Sequence, residues 1–237
     1  MQDRQPLHLT PLGGLQRWIS RALIAAAVCE VGYLYISLRL ARFVDERDSG
    51  AFAEEVSLQR ADDLDNTVNV VGLSYIAVYV SAFILSGFWI YRAARNAAII
   101  APRRDRISPG WAVGWHFIPI ANLFKPYQAI REVYNSSISP DRPIDTPLPK
   151  LFIIWWLAFL SSNGLGTLSG EIASSGSARA FSNALIVDVV MFPIALIALW
   201  LWHTIVLAIS NAQDRGITPI PEISSTNPGS PQGGING

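Results

Sequence analysis

Four stretches of the chain run almost without polar interruption, and the charged residues are pushed to their ends and into the connectors. A helix needs roughly 20 apolar residues to cross about 30 Å of hydrocarbon. On that measure residues 18–40, 70–91, 151–168 and 183–209 each predict a membrane-spanning helix. The second is the cleanest, with no charge between Val70 and Tyr91. The third is apolar first and small or polar later, through Ser161-Ser162-Asn163-Gly164 and Gly166, which suits close helix packing or a wet cavity wall. The fourth carries Asp188, Pro193 and His203. Arg17 and Arg21 precede the apolar core of the first run, as in a signal peptide, and Ala26-Ala27-Val28-Cys29 faintly echoes a lipoprotein site. Val28 is too large for that site and the apolar core continues past it, so the run reads as a retained span.

A fifth stretch has a different pattern. Residues 108–135 are apolar but broken by Pro119 and Pro126, opened by Trp111 and Trp115, and punctuated by Asn122 and Lys125. Ser108-Pro109 is a helix-opening pair. Trp111, Trp115 and Ile118 then share one helical face. Pro119 has no N–H for the Trp115 carbonyl and must break that helix, leaving carbonyls that Asn122 and water are expected to satisfy. Pro126 starts a second helix, with Leu123, Tyr127, Ile130 and Tyr134 on one stripe and Lys125, Gln128, Arg131, Glu132 and Asn135 opposite. This reads as an interfacial or reentrant segment rather than a span.

Charge sets the threading. Eight carboxylates and three arginines lie in residues 42–69, whereas arginines and lysines crowd both flanks of the 108–135 segment. Basic residues near span ends favour the cytoplasm, so both flanks and both termini are expected inside and the acidic loop outside. One short helix is expected in that loop, capped by Asp48 or Ser49 at Gly50. The fold expected is therefore an all-α integral membrane protein with four transmembrane helices and a cytoplasm-side interfacial helical segment. An N-terminal tail (1–16), a membrane domain (17–215) and a disordered Pro/Gly/Ser-rich tail (216–237) complete it.

Composition agrees. Apolar residues make up 51% and charged residues 15%, with a mean hydropathy of +0.31. The formal net charge of zero gives no basic field for nucleic acid. Cys29 is the only cysteine, so no intrachain disulfide forms, and packing as a small hydrophobe is its expected role. Three histidines make no ligand cluster and the acidic loop lacks a calcium-loop spacing, so no metal or cofactor is expected. No phosphate-binding glycine loop, nucleophile elbow or zinc-protease motif occurs, so no enzyme is expected.

The run Phe88-Trp89-x-Tyr91-Arg92-Ala93-x-x-Asn96, a basic linker, and Ser108-Pro-Gly-Trp-Ala-Val-Gly-Trp-x-Phe-Ile-Pro-Ile-Ala-Asn-Leu-x-x-Pro-Tyr127 followed by Glu132 resembles a bacterial multi-pass membrane family, domain of unknown function 4328. The resemblance covers roughly residues 15–215 and implies a membrane protein with no established activity. It supplies no catalytic residue.

The candidate functional or motif residues are Glu30, Arg92, Arg95, Asn96, Trp111, Trp115, Pro119, Asn122, Pro126, Tyr127 and Glu132. Glu30 lies mid-span, where a carboxylate costs about 2.5–3.5 kcal/mol on insertion scales, and reads as a proton or cation site or as a neutral acid bonded to a neighbouring helix. Asp188 is expected to reach the outer interface and His203 to act as an interfacial donor. Arg92, Arg95 and Asn96 suit lipid phosphate or plain anchoring. The expected partners are the bilayer, anionic lipid headgroups and a membrane-protein partner or second copy. Two functions fit: a non-enzymatic scaffold or regulatory partner in the bacterial cell membrane, or a small channel or transporter using Glu30 and the polar half of the third span. They separate on whether Glu30 and Asn163 face one cavity.

Overall fold

Burial along the first helix recurs at Ile19, Leu23, Ala26, Glu30, Ile36 and Phe43, a stripe of helical period that keeps one face against its neighbours. The structure, a computed structural model, describes residues 8–50, 54–103, 106–141, 147–174 and 177–215. Six helices and no strand occur among them: α1 (Gly13–Asp48), α2 (Glu54–Ile100), α3 (Pro109–Gly114), α4 (Lys125–Ile138), α5 (Leu151–Ala173) and α6 (Ala178–Arg215). Helices α1, α2, α5 and α6 are long and apolar enough to cross a membrane, and they hold the four runs expected to span one. The expected disordered tail, 216–237, lies outside the described residues.

The acidic connector departs from expectation. Ser49 caps the end of α1 rather than the start of a new helix, and Gly50 turns the chain at φ 72°, where a side chain would be strained. Among the described residues there is no separate short helix here. From Glu54 the chain is already in α2, whose 47 residues extend about 70 Å at 1.5 Å per residue. The ends of α1 and α2 form a helical hairpin longer than hydrocarbon requires. Ile36, Phe43 and Leu64 pack inside it, against Val44, Ala61, Val68 and Val71. Arg60 pairs with Glu46 at 4.0 Å on its surface. The carboxylates were legible as solvated, but the apolar positions between them at helical spacing keep the helices going.

In the bundle α5 packs on α6, α6 on α1 and α1 on α2, while α2 and α5 make no extended contact. The main core sits at the end where α1 begins and α6 finishes, here called the base. Trp89, Ile90 and Ala93 of α2 meet Phe152, Trp155 and Trp156 of α5 and Trp202, Ile205 and Ile209 of α6 there. Trp202 stacks on Trp155 at 5.0 Å and meets Trp89 edge-on at 5.6 Å. Three indole N–H groups of this core have partners: Trp89 donates to Ser210, Trp202 to Ser86, and Trp156 to the Leu123 carbonyl. Leu9 and Leu12 are buried at the same end, so the chain before α1 is packed.

The segment between α3 and α4 turns as its prolines dictate. The Ser108 hydroxyl accepts from the Trp111 N–H at 3.4 Å and caps α3. A 3-10 turn follows at Trp115–Phe117, and Ile118 becomes extended (φ −104°, ψ 110°) ahead of Pro119. A second 3-10 turn, Ala121–Leu123, leads into α4, with Pro126 in its first turn. The buried face of α4 is not the stripe expected. Pro126, Ala129, Ile130, Val133, Asn135 and Ser136 are buried and Leu123 is exposed, because α4 underlies the base and turns polar residues toward a buried network there.

Candidate functional site

Because α2 and α5 stay apart, a cleft of about 740 Å³ runs between them, floored by α1 and α6. Its α2 wall extends from Tyr75 to Ile90, about 22 Å at the helical rise. Val113, His116 and Asn122, from the segment between α2 and α4, close its basal end. Most lining groups are aliphatic or aromatic, and no lysine or arginine lines it among the described residues. Glu30 and Asn163 both do, which is the arrangement that favours the channel or transporter reading.

Glu30 is 1% exposed. The hydroxyls of Tyr75 and Tyr79 both donate to its Oε1, Tyr75 at 2.9 Å. Its Oε2 has no hydrogen-bond partner. Tyr75 stacks on Tyr79 at 4.4 Å and meets Tyr33 at 5.5 Å, so three aromatic rings gather round the acid. Tyr33 also lies within electrostatic reach of Asp188. Asp188 does not reach an interface: it is 4% exposed and accepts from Ser169 of α5 at 2.6 Å. Packing of α6 on α5 overrides its short distance from the helix end.

The other polar groups of the cleft look after themselves. Ser162 and Asn163 donate to the Phe159 carbonyl and Thr167 to the Asn163 carbonyl, one turn back in their own helix. The Oδ1 of Asn122 is buried without a donor. Two orphan oxygens thus mark the cleft, Glu30 Oε2 toward one end and Asn122 Oδ1 at the base. His116 hydrogen-bonds the Val113 carbonyl through Nδ1 at 3.1 Å, and burial holds its pKa below the usual value.

The remaining candidates separate into three places. Asn96 is fully buried, exchanging two bonds with the Thr10 backbone (2.9 and 2.8 Å) and donating to Gln213 Oε1 at 2.9 Å. Gln213 in turn donates to the Ala93 carbonyl and the Ser137 hydroxyl. That network joins the chain before α1 to α2, α4 and α6 and takes Asn96 away from its neighbours Arg92 and Arg95, which are exposed. Glu132 faces Arg106 across 3.3 Å, an ion pair more than an aligned hydrogen bond, and also accepts from the Ile107 N–H. Trp111 stacks on Trp115 at 4.5 Å, with Lys125 over the Trp115 ring at 5.8 Å. Pro119 is exposed, and Tyr127 is half-buried against the main core. His203 is not a free interfacial donor but meets Ser20 of α1 at 2.9 Å. Cys29 is half-buried.

The reading of the residues missed Tyr75, Tyr79, Ser169 and Gln213. The tyrosine signal was present: two hydroxyls one turn apart in an uncharged span require acceptors in hydrocarbon.

The fold and the cleft define an all-α protein whose four long helices have the length and apolarity of membrane spans. The chain belongs to the family described as domain of unknown function (DUF4328), which matches residues 53–211. No curated protein and no solved structure matches it.

Proposed function

We propose that this is a non-enzymatic protein of the bacterial cell membrane that admits a small guest from the bilayer into the cleft between α2 and α5, in the manner of a carrier. The observation that carries this reading is a predominantly apolar cleft whose lining includes Glu30, a buried carboxyl with one oxygen unpartnered. An apolar lining suits a guest arriving sideways from lipid rather than a column of water. The volume falls in the range of roughly 300–1,000 Å³ typical of small-molecule sites. In this reading both termini and the basal segment are cytoplasmic, as the arginine distribution favours. Arg92 and Arg95, exposed at the base, meet anionic headgroups.

The scaffold reading has one observation of its own. Phe117, Ile120 and Leu123 stand exposed on the turn before α4. Apolar side chains there suit lipid as well as they suit a partner, so they support the membrane placement without requiring a second protein.

The test is native mass spectrometry of the full chain released from its membrane in mild detergent. Thr167 lines the cleft and is exposed, so Thr167→Trp fills the cleft without overpacking the core. The wild type should carry a small-molecule adduct and the variant should lose it. Bare wild type, or equal occupancy in the two, contradicts the reading.

A further inference from the structure

The cleft holds an acid and nothing to balance it. Oε1 of Glu30 already accepts from two tyrosines, so whatever else the carboxyl binds must meet Oε2, which is buried and has no partner. The groups around it from each packed element are Tyr33 on α1, Tyr75 and Tyr79 on α2, and Asp188 on α6, itself held by Ser169 of α5. All are hydroxyls or acids. Among the described residues, the one basic group lining the cleft is His116, at the base and kept toward neutrality by burial. A neutral apolar guest leaves Oε2 as it is. A bare divalent ion needs six or more oxygen ligands, and no cluster of three His, Cys, Asp or Glu occurs among the described residues. A guest that brings its own positive charge on an apolar body answers both features, and the aromatic rings add cation–π attraction.

We propose that the cleft binds a lipophilic cation of drug size, whose charge sits at Glu30 Oε2 in exchange for a proton. The inference rests on the reading that the cleft admits a guest from the bilayer. The exchange balances: the cation enters, one proton leaves the carboxyl, and the net charge of the site is unchanged. Tyr75 and Tyr79 hold the carboxyl in place as positioning residues.

Tetraphenylphosphonium and its neutral isostere tetraphenylsilane are the probes, added to the full chain in lipid nanodiscs. Trp155, Trp156 and Trp202 line the cleft and report occupancy by fluorescence. Affinity for the cation should rise with pH, because a proton leaves the carboxyl for each cation bound. Glu30→Gln should weaken binding at least tenfold and abolish the pH dependence, whereas Glu30→Asp should keep it. The neutral isostere should bind at least tenfold more weakly. Release of a proton per cation from the wild type in weak buffer gives the same answer without any variant. Equal, pH-independent binding of both probes with no proton release overturns the cation and leaves the cleft reading standing. No fluorescence response to either probe overturns both.

Discussion

Asn96→Ala is expected to unlock the base of the bundle. The side chain makes three hydrogen bonds from a fully buried position, two to Thr10 and one to Gln213 Oε1. Truncation leaves Gln213 Oε1 buried without its donor, which costs about 1–3 kcal/mol. The two Thr10 bonds are partly buried, so water replaces them in part and their loss adds about 0.5–1.5 kcal/mol each. The sum is about 2–6 kcal/mol, a drop of roughly 10 °C in melting temperature for a chain of this length. Asn96→Asp keeps the shape but turns a carboxylate oxygen toward the Thr10 carbonyl and Gln213 Oε1, and should destabilise at least as much. Thermal unfolding in detergent followed by tryptophan fluorescence measures both. If Asn96→Ala loses less than about 0.5 kcal/mol, or Asn96→Asp melts with the wild type, the network is not what holds the base. A role for Asn96 at lipid headgroups would then regain its place.

Glu132→Ala removes the partner of a largely buried arginine and the acceptor of the Ile107 N–H; a loss of about 3 kcal/mol is expected, and proteolysis near Ile107 should speed up accordingly. For His116, burial favours the neutral ring in the folded state, so the unfolded state binds more protons below its pKa of about 6.5. Stability should therefore fall as pH drops below that value, and His116→Asn should flatten the part of the melting-temperature profile between pH 7.5 and 5.5 that belongs to this ring. For threading, cysteines replacing the exposed Gln59 and Arg131 in a Cys29→Ala background should react oppositely with an impermeant thiol reagent added outside. Labelling of both from one side would contradict the four-span topology.

What was legible in the sequence is what lipid imposes directly. Four uninterrupted apolar runs could only be long helices, because hydrocarbon leaves no other partner for backbone N–H and C=O groups. Pro119 and Pro126 act through their own missing N–H groups, so their effect needed no tertiary knowledge and the turn between α3 and α4 follows from it. The acidic hairpin was hidden because charge dominates residues 42–69, while the positions that carry α1 and α2 onward, Phe43 and Leu64, are few and widely spaced. The faces of α4 were misassigned for a related reason. Asn135 and Ser136 are polar but buried: Ser136 accepts from Arg106 of the chain before α3, and Gln213 of α6 donates to the adjacent Ser137. Glu30 was legible as an exception. Its tyrosine partners on α2 and the separation of α2 from α5 depend on how helices distant in sequence pack, which no single span declares.

That separation is the centre of the account, and lipid access to the cleft tests it most directly. Nitroxide labels at Ile76 on α2 and Thr167 on α5, both lining the cleft and both exposed, should be placed one at a time in a Cys29→Ala background in lipid nanodiscs. Power saturation with oxygen, which partitions into lipid, and with a nickel chelate, which stays in water, reads the surroundings of each. Both labels should collide with oxygen and be shielded from nickel, and both should lose oxygen access when a guest fills the cleft. Shielding from both reagents without a guest would mean that α2 and α5 close on each other, and preferential collision with nickel would mean a water-filled pore; either result contradicts the account.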